Sequence, residues 1–385
     1  MAAFHPKTTR YLEEKNPIKG TSDVKFQDEG HLYWAYSNYY NQMISNDDGC
    51  GALPLISATT VLNNYFHFDR NYLALKIWND PLKRHAMEYD VTDKYYGCKS
   101  IDDVLYIFGD GARQGTEMHG YYEDMANLLE YDKDHPPEEG TKLLQHLYIA
   151  EKLEGYYEKA YFYEFVKKFK LDNPASGIRF HRTELLMWND VLHITGTADG
   201  LLYDENDDSY IIVDWKRIKG GVKCDPKNPK KPLHELSASG RGMGLEIFEK
   251  MYNNTMNKYG CQLTIYKKLF EYMTGKRVSG LYIVAIDSNL IGKTTDRYGR
   301  PISALKIHEV PLTKYDEAIR QAFEERAREI LGKCENTLND DHMDKLIEII
   351  DEGDRIREER ILQMEQEQQS DDEEVTQSPK KKQKK

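Results

Sequence analysis

The sequence has little of what marks a membrane, secreted or disulfide-rich protein. No apolar run approaches the roughly 20 residues that a bilayer-spanning helix needs. The first residues carry no apolar stretch of the secretory type, and Lys7 and Arg10 are followed closely by Glu13 and Glu14, which counts against a transit peptide. Cysteine is scarce: Cys50, Cys98, Cys224, Cys261 and Cys334 are scattered, odd in number and never spaced Cys-x-x-Cys. That pattern argues for a reducing intracellular compartment and gives no support for a cysteine-held iron–sulfur cluster. Positive charge is also short. With 53 Lys and Arg against 65 Asp and Glu, the formal charge is -12, which counts against whole-surface nucleic-acid binding but leaves room for a local basic groove.

What is present is a soluble chain of 385 residues, 31% of them charged, with a mean hydropathy of -0.75. That length has room for a sizeable core and one to three domains. The chain is organised around Gly196-Thr197-Ala198-Asp199-Gly200, an acidic turn from Asp204 to Asp208, and Tyr210-Ile211-Ile212-Val213-Asp214-Trp215-Lys216. Residues 191–203 and 209–216 read as strands, rich in β-branched and aromatic side chains. Alternation puts Asp214 and Lys216 on one face. In the first strand His193, Thr195, Thr197 and Asp199 share a face, and Leu192, Ile194 and Ala198 take the other. Two carboxylates and an amine thus gather beside a packed sheet, the oxygen-rich cluster that hard divalent cations need. A lysine there can orient an attacking water or help deprotonate it. A plain hairpin with a surface Asp-x-Lys competes. Against it, Ile211-Ile212-Val213 runs straight into Asp214, and a charge ending a buried strand needs a partner or a metal.

The Asp199…Asp214-Trp215-Lys216 arrangement resembles the PD-(D/E)xK nuclease core, in detail its RecB-like and lambda-exonuclease-like branch, which has mitochondrial, phage and viral members. Gly115-Thr116-Glu117-Met118-His119 resembles that branch's upstream motif, which supplies a histidine from a helix. Gln262-Leu263-Thr264-Ile265-Tyr266 resembles its downstream Gln-x-x-x-Tyr helix motif, and the set keeps the family's order. The resemblance implies an α/β fold with a central mixed sheet flanked by helices, and Mg²⁺-dependent hydrolysis of DNA phosphodiesters with Mn²⁺ as a substitute. It assigns Asp199 to binding or bridging metals, Asp214 and the Trp215 backbone carbonyl to the metal that activates water, and His119 to the same or a second metal. Lys216 would position the water and offset transition-state charge. Gln262 and Tyr266 would brace that lysine or touch the substrate backbone. Action on DNA ends or single strands, in replication, repair or recombination, is the family's tendency. Two alternatives stand: an RNA endonuclease on the same core, and an inert nucleic-acid-binding scaffold.

Along the chain, residues 1–100 read as an arm, a hairpin (Val24–Phe26 with His31–Tyr36) and a helical part, with Pro81 restarting a helix over 70–88. Ser57, Thr59 and Thr60 open a helix, where their hydroxyls cap free N–H groups and such donors also hold phosphate. Residues 101–333 form the nuclease core. There Gly109, Gly111 and Gly115 interrupt the helical pattern of 101–129 and imply a break or a close backbone approach. Glu123 lies one turn from His119 as an accessory acid, and Arg113 is either a phosphate contact or an ordinary surface arginine. Residues 141–171 are helical and rich in aromatics that are mostly core. Glu184, in a strand over 179–188, either reaches a metal through water or makes a cross-strand salt bridge, the commoner outcome. The loop 217–244 holds seven basic residues against two acidic ones. Arg217, Lys219, Lys223 and Arg241 in it are candidate DNA contacts. Helices follow over 245–274, 313–333 and 341–366, with strands at 279–287 and 302–310. Residues 334–366 make a C-terminal helix. The tail 367–385 reads as disordered, acidic then basic, its basic end a nuclear-localisation patch or a DNA tether. No signal speaks to oligomeric state.

Overall fold

The computed structural model describes residues 10–377 apart from positions 22, 28–31, 38–41, 46–53, 67–68, 92, 94, 136–157, 219–222, 226–227, 234–241, 289, 296–298, 300–301 and 335–337. The basic end of the tail and Tyr148, Tyr156 and Tyr157 of the aromatic segment lie outside the described residues.

After helix α1 (Tyr11–Lys15), strands β1 (Val24–Gln27), β2 (Leu32–Ser37) and β3 (Gln42–Ser45) form a small antiparallel sheet. Strand β4 (Ile56–Ser57) leads into α2 (Ala58–Asn63). Helices α3 (Arg70–Asn79) and α4 (Pro81–Tyr89) meet at Asp80, whose carboxylate caps α4 while Pro81 occupies its first turn. Next come α5 (Ile101–Asp134), α6 (Lys159–Lys168), β5 (Ile178–Asn189), β6 (Ile194–Asp204) and β7 (Ser209–Ile218). A two-stranded hairpin follows, β8 (Lys223–Asp225) with β9 (Asn228–Leu233). The chain continues through α7 (Thr255–Thr274), β10 (Val278–Asp287), β11 (Leu305–Glu309), α8 (Asp316–Cys334) and α9 (Asp340–Gln377).

The architecture is α/β, with a mixed central sheet between helices. The strand order is β11-β10-β7-β6-β4, with β5 on the remaining edge of β6. β7 and β10 run parallel and the other main-sheet pairs, β4 with β6 excepted, run antiparallel. One core fills the space between the sheet and α7 and α8, built on residues such as Leu185, Ala198, Ile212 and Leu263. The other lies on the opposite face, where Phe180, Val213 and Trp215 meet Tyr122 of α5 and Phe162 and Phe165 of α6. The unbroken apolar run Ile211-Ile212-Val213 follows from this, because a strand covered on both faces has no polar side. Full burial of Ile212 and Val213 stabilises the sheet by about 1.5–3 kcal/mol each.

Four expectations change. Helix α5 is continuous for 34 residues and opened by a Ser100–Asp103 capping box. Gly109 packs beside the Arg70 guanidinium, while Gly111 and Gly115 face open space, so the glycines neither break the helix nor admit another backbone. The buried side chains of Val104 before them and of Met118, Tyr122 and Met125 after them anchor the helix on both sides. Strand β6 begins at Ile194 rather than 191, because Asn189 Oδ1 accepts from the N–H groups of Val191 and Leu192 and His193 takes φ 50°. Helix α7 begins at Thr255, where Asn254 caps it, and only a short 3₁₀ turn occupies 246–248. Helix α9 continues to Gln377, past the point where the apolar pattern fades. Among the described residues no helix is long and apolar enough to cross a membrane.

Candidate metal centre

The site lies where β6 and β7 part. Along one edge of β6, β5 pairs from end to end. Along the other, β7 pairs only with Gly200–Asp204 and β4 only with Ile194 and Thr195. Residues 196–199 are left between them, and the β7 ladder toward β6 stops at Val213. Backbone groups released by such a fork must find other partners. At Trp215 they do: its N–H donates to Asp199 Oδ2 at 2.6 Å, and its carbonyl oxygen lies 2.9 Å from His119 Nε2. Helix α5 delivers that imidazole because Met118 and Tyr122 on either side of it are buried, the Tyr122 ring 5.0 Å edge-on from the Trp215 indole.

His119, Glu184 and Asp199 each present a ligand atom within 4.8 Å of the others, and His119 Nδ1 is 3.6 Å from Asp199 Oδ1. One imidazole, two carboxylates and a nearby carbonyl suit Mg²⁺ or Mn²⁺, the imidazole favouring the latter. The donor set therefore fits a small divalent cation. Glu184 reaches the cluster from β5, where the pairs Thr183–Gly200 and Leu185–Ala198 set it across from Asp199. Its φ of 43° is a left-handed conformation that a non-glycine residue keeps only when its surroundings impose it. Burial, then the charges of Asp199 and Glu123, push its carboxyl up to about 9. Among the described residues Glu184 makes no salt bridge, so the cross-strand ion pair is not formed. An acid cluster of this kind is what a bound cation relieves.

Asp214 and Lys216 share a face, as strand alternation requires, and point to α7. Lys216 Nζ lies 2.8 Å from Asp214 Oδ1 and 2.7 Å from Oδ2. Burial raises the Asp214 carboxyl to about 6, with Lys216 opposing and Asp199 reinforcing the shift. For Lys216 burial alone pulls the pKa down, but Asp214 and Asp199 outweigh it and hold the amine above its ordinary value. It is therefore an ammonium. In that form it can donate hydrogen bonds and neutralise negative charge. Asp214 stands outside the three-residue ligand group, engaged by the lysine.

Helix α7 closes this side. Gln262 Nε2 donates to Tyr266 Oη at 2.6 Å, and Lys216 Nζ sits 4.9 Å from the centre of the Tyr259 ring, within cation–π range. The Tyr266 ring lies against Gly196, where a Cβ would come within 2.5 Å of it; only glycine fits. Tyr259 was not among the sequence candidates, although it precedes Gln262 by one helical turn.

The remaining candidates divide. Ser57 accepts from the N–H of Thr60 and caps α2. Ser57, Thr59 and Thr60 line a cleft of about 660 Å³ with Gly196, Thr197 and Tyr266. Glu123 joins His119, Thr197 and Glu184 in a second cleft of about 790 Å³ under β1 and β2. Thr197 lines both, which follows from its place two residues before Asp199. Arg113 is exposed on α5 and paired with Asp110 and Glu117. Arg217 is turned inward to the buried Glu158, Nε to Oε1 at 2.6 Å. Lys223 opens β8, and Lys219 and Arg241 lie outside the described residues. No protein-family model and no curated protein matches the sequence.

Proposed function

We propose that the chain is a divalent-metal-dependent DNA nuclease with a PD-(D/E)xK core, hydrolysing phosphodiester bonds at DNA ends or in single strands in replication, repair or recombination. The observation that carries this reading is the fork between β6 and β7. It gathers His119, Glu184 and Asp199 around one point and sets the Asp214–Lys216 pair on the adjoining face. Those three side chains would hold a Mg²⁺ or Mn²⁺ ion, which when bound would supply Lewis-acid polarisation of the scissile phosphate. The protein's own part is electrostatic. Asp214 keeps Lys216 protonated, and the ammonium offsets charge that builds on the phosphate oxygens in the transition state. The Tyr259 ring faces that ammonium, and the Gln262–Tyr266 pair follows on the same helix. The two clefts meeting at Thr197 give a strand room on both sides of the centre.

The test is cleavage of labelled single-stranded DNA, duplex DNA and RNA with and without Mg²⁺ or Mn²⁺, with Lys216→Ala as control. The reading requires metal-dependent cleavage of DNA, lost in the variant. Preferential RNA cleavage would transfer the same core to an RNA endonuclease. No metal-dependent cleavage of any strand would leave an inert scaffold.

A further inference from the structure

We propose that Arg182 holds a non-scissile phosphate of the bound strand, one step from the metal centre, and so sets the strand's register in the cleft. This rests on the nuclease reading and assigns that site a positioning residue.

Arg182 lies on β5 two residues before Glu184 and lines the same cleft as His119, Glu123 and Glu184. It is 4% exposed. A guanidinium has five N–H donors, and here few are used. One terminal nitrogen donates to the Asn16 carbonyl at 3.2 Å, and the other is 3.9 Å from Glu13 Oε1. Nε, fully buried, has no acceptor among the described residues. Glu13 is half exposed and also shared with Arg10 at 3.2 Å, so it neutralises Arg182 only in part. A buried cation with unused donors is costly for stability alone. A guanidinium fork matches a phosphate in both charge and shape.

The surroundings fit the same ligand. Arg10 and Lys25 line the cleft too, both exposed. A polyanion approaching Glu123, Glu184 and Asp199 in a protein of charge -12 needs cations close by. Two residues of strand separate Arg182 from Glu184 by about 6–7 Å, comparable with the step between neighbouring phosphates of an extended strand. With both residues lining one cleft, a phosphate held at Arg182 lies near the scissile linkage.

The competing role is structural: through Asn16 the arginine pins α1 to the sheet. The two separate in steady-state cleavage of single-stranded oligonucleotides carrying one neutral methylphosphonate at each position in turn. The wild-type protein should show a KM raised about tenfold by one linkage next to the cleaved bond. Arg182→Gln should raise KM similarly and become indifferent to that linkage. The slope of log affinity against log salt should fall by about 0.7, the share of one single-strand phosphate. Glu13→Gln, on the surface, should lower KM by releasing the guanidinium; a pin for α1 predicts no such gain, and this variant carries the test if Arg182→Gln does not fold. Cleavage in which no linkage distinguishes the wild type from Arg182→Gln, with Glu13→Gln unchanged, overturns the assignment while leaving the nuclease reading intact. Absence of cleavage of every substrate removes both.

Discussion

The main-chain N–H of Trp215 donates to the side chain of Asp199, 2.6 Å away across a gap where β6 and β7 no longer pair. One carboxylate thus does the work of a missing ladder bond and also faces His119. The two duties respond differently to substitution. An amide at position 199 still offers an oxygen to the Trp215 N–H, but it removes one negative charge from the cluster with Glu184. Asp199→Asn should therefore fold with unchanged or higher thermal stability, and lose metal binding and at least about 10²-fold of cleavage rate. Asp199→Ala leaves a buried N–H without an acceptor and should cost about 1–3 kcal/mol relative to Asn. Urea unfolding of both variants without metal checks the order.

The pH dependence follows from the two raised acids. Glu184 moves from the usual 4.5 to about 9 and Asp214 from 3.8 to about 6. An acid whose pKa rises on folding keeps a proton that the unfolded chain has lost, so stability from these groups falls as pH climbs from about 4 toward 9. A cation needs Glu184 ionised, so binding should release close to one proton near pH 7.5 and tighten with pH up to about 9. Calorimetry of Mn²⁺ binding in buffers of different ionisation enthalpy measures this directly. Glu184→Gln should abolish most of the proton release and flatten the fall of metal-free stability above pH 6.

Lys216 and Asp214 should prove energetically inseparable. Asp214 is 1% exposed and the lysine side chain 17%. Removing the lysine alone strands a buried carboxylate, a loss of about 3–5 kcal/mol if it stays charged. Asp214 will instead take up a proton, so Lys216→Ala should be markedly less stable at pH 8 than at pH 5. Adding Asp214→Asn should restore most of the stability and none of the cleavage, a non-additivity that a double-mutant cycle on unfolding free energy would report.

How much of this was legible in the residues depends on the range of the interaction. That Asp214 and Lys216 share a face was readable because strand alternation is local and Ile211–Val213 fixes which strand is buried. The restart of the helix at Pro81 and the pairing of Gln262 with Tyr266 are local too. The fork was not readable. It needs β4, contributed from residues 56–57, to take the edge of β6 that β7 leaves, and no local pattern carries that. Glu184 was half readable: its acid was a candidate for reaching a metal beside the ion pair that strand periodicity favours, but its φ of 43° and its place beside His119 carry no local signal. Arg217 is a further case: a basic residue in a basic stretch, its ion-pair partner Glu158 lies 59 positions earlier, beyond the reach of any local pattern.

Gly196 offers the sharpest test of how the helix side supports the centre. A methyl group there would sit 2.5 Å from Tyr266 Cε1 and 3.6 Å from the Ala58 side chain, so the ring must move. Tyr266 is 5% exposed and bonded to Gln262, so moving the ring disturbs its packing or breaks that bond. Gly196→Ala should therefore cost about 1–3 kcal/mol, the range for overpacking, and lower cleavage by shifting the wall behind Lys216. Trimming the ring should relieve the clash: Gly196→Ala with Tyr266→Leu should be more stable than the sum of the two single variants predicts, by about 1 kcal/mol or more. Strict additivity would mean that the ring and the glycine are not in contact, and Gly196 would then be required for some other reason than room for Tyr266.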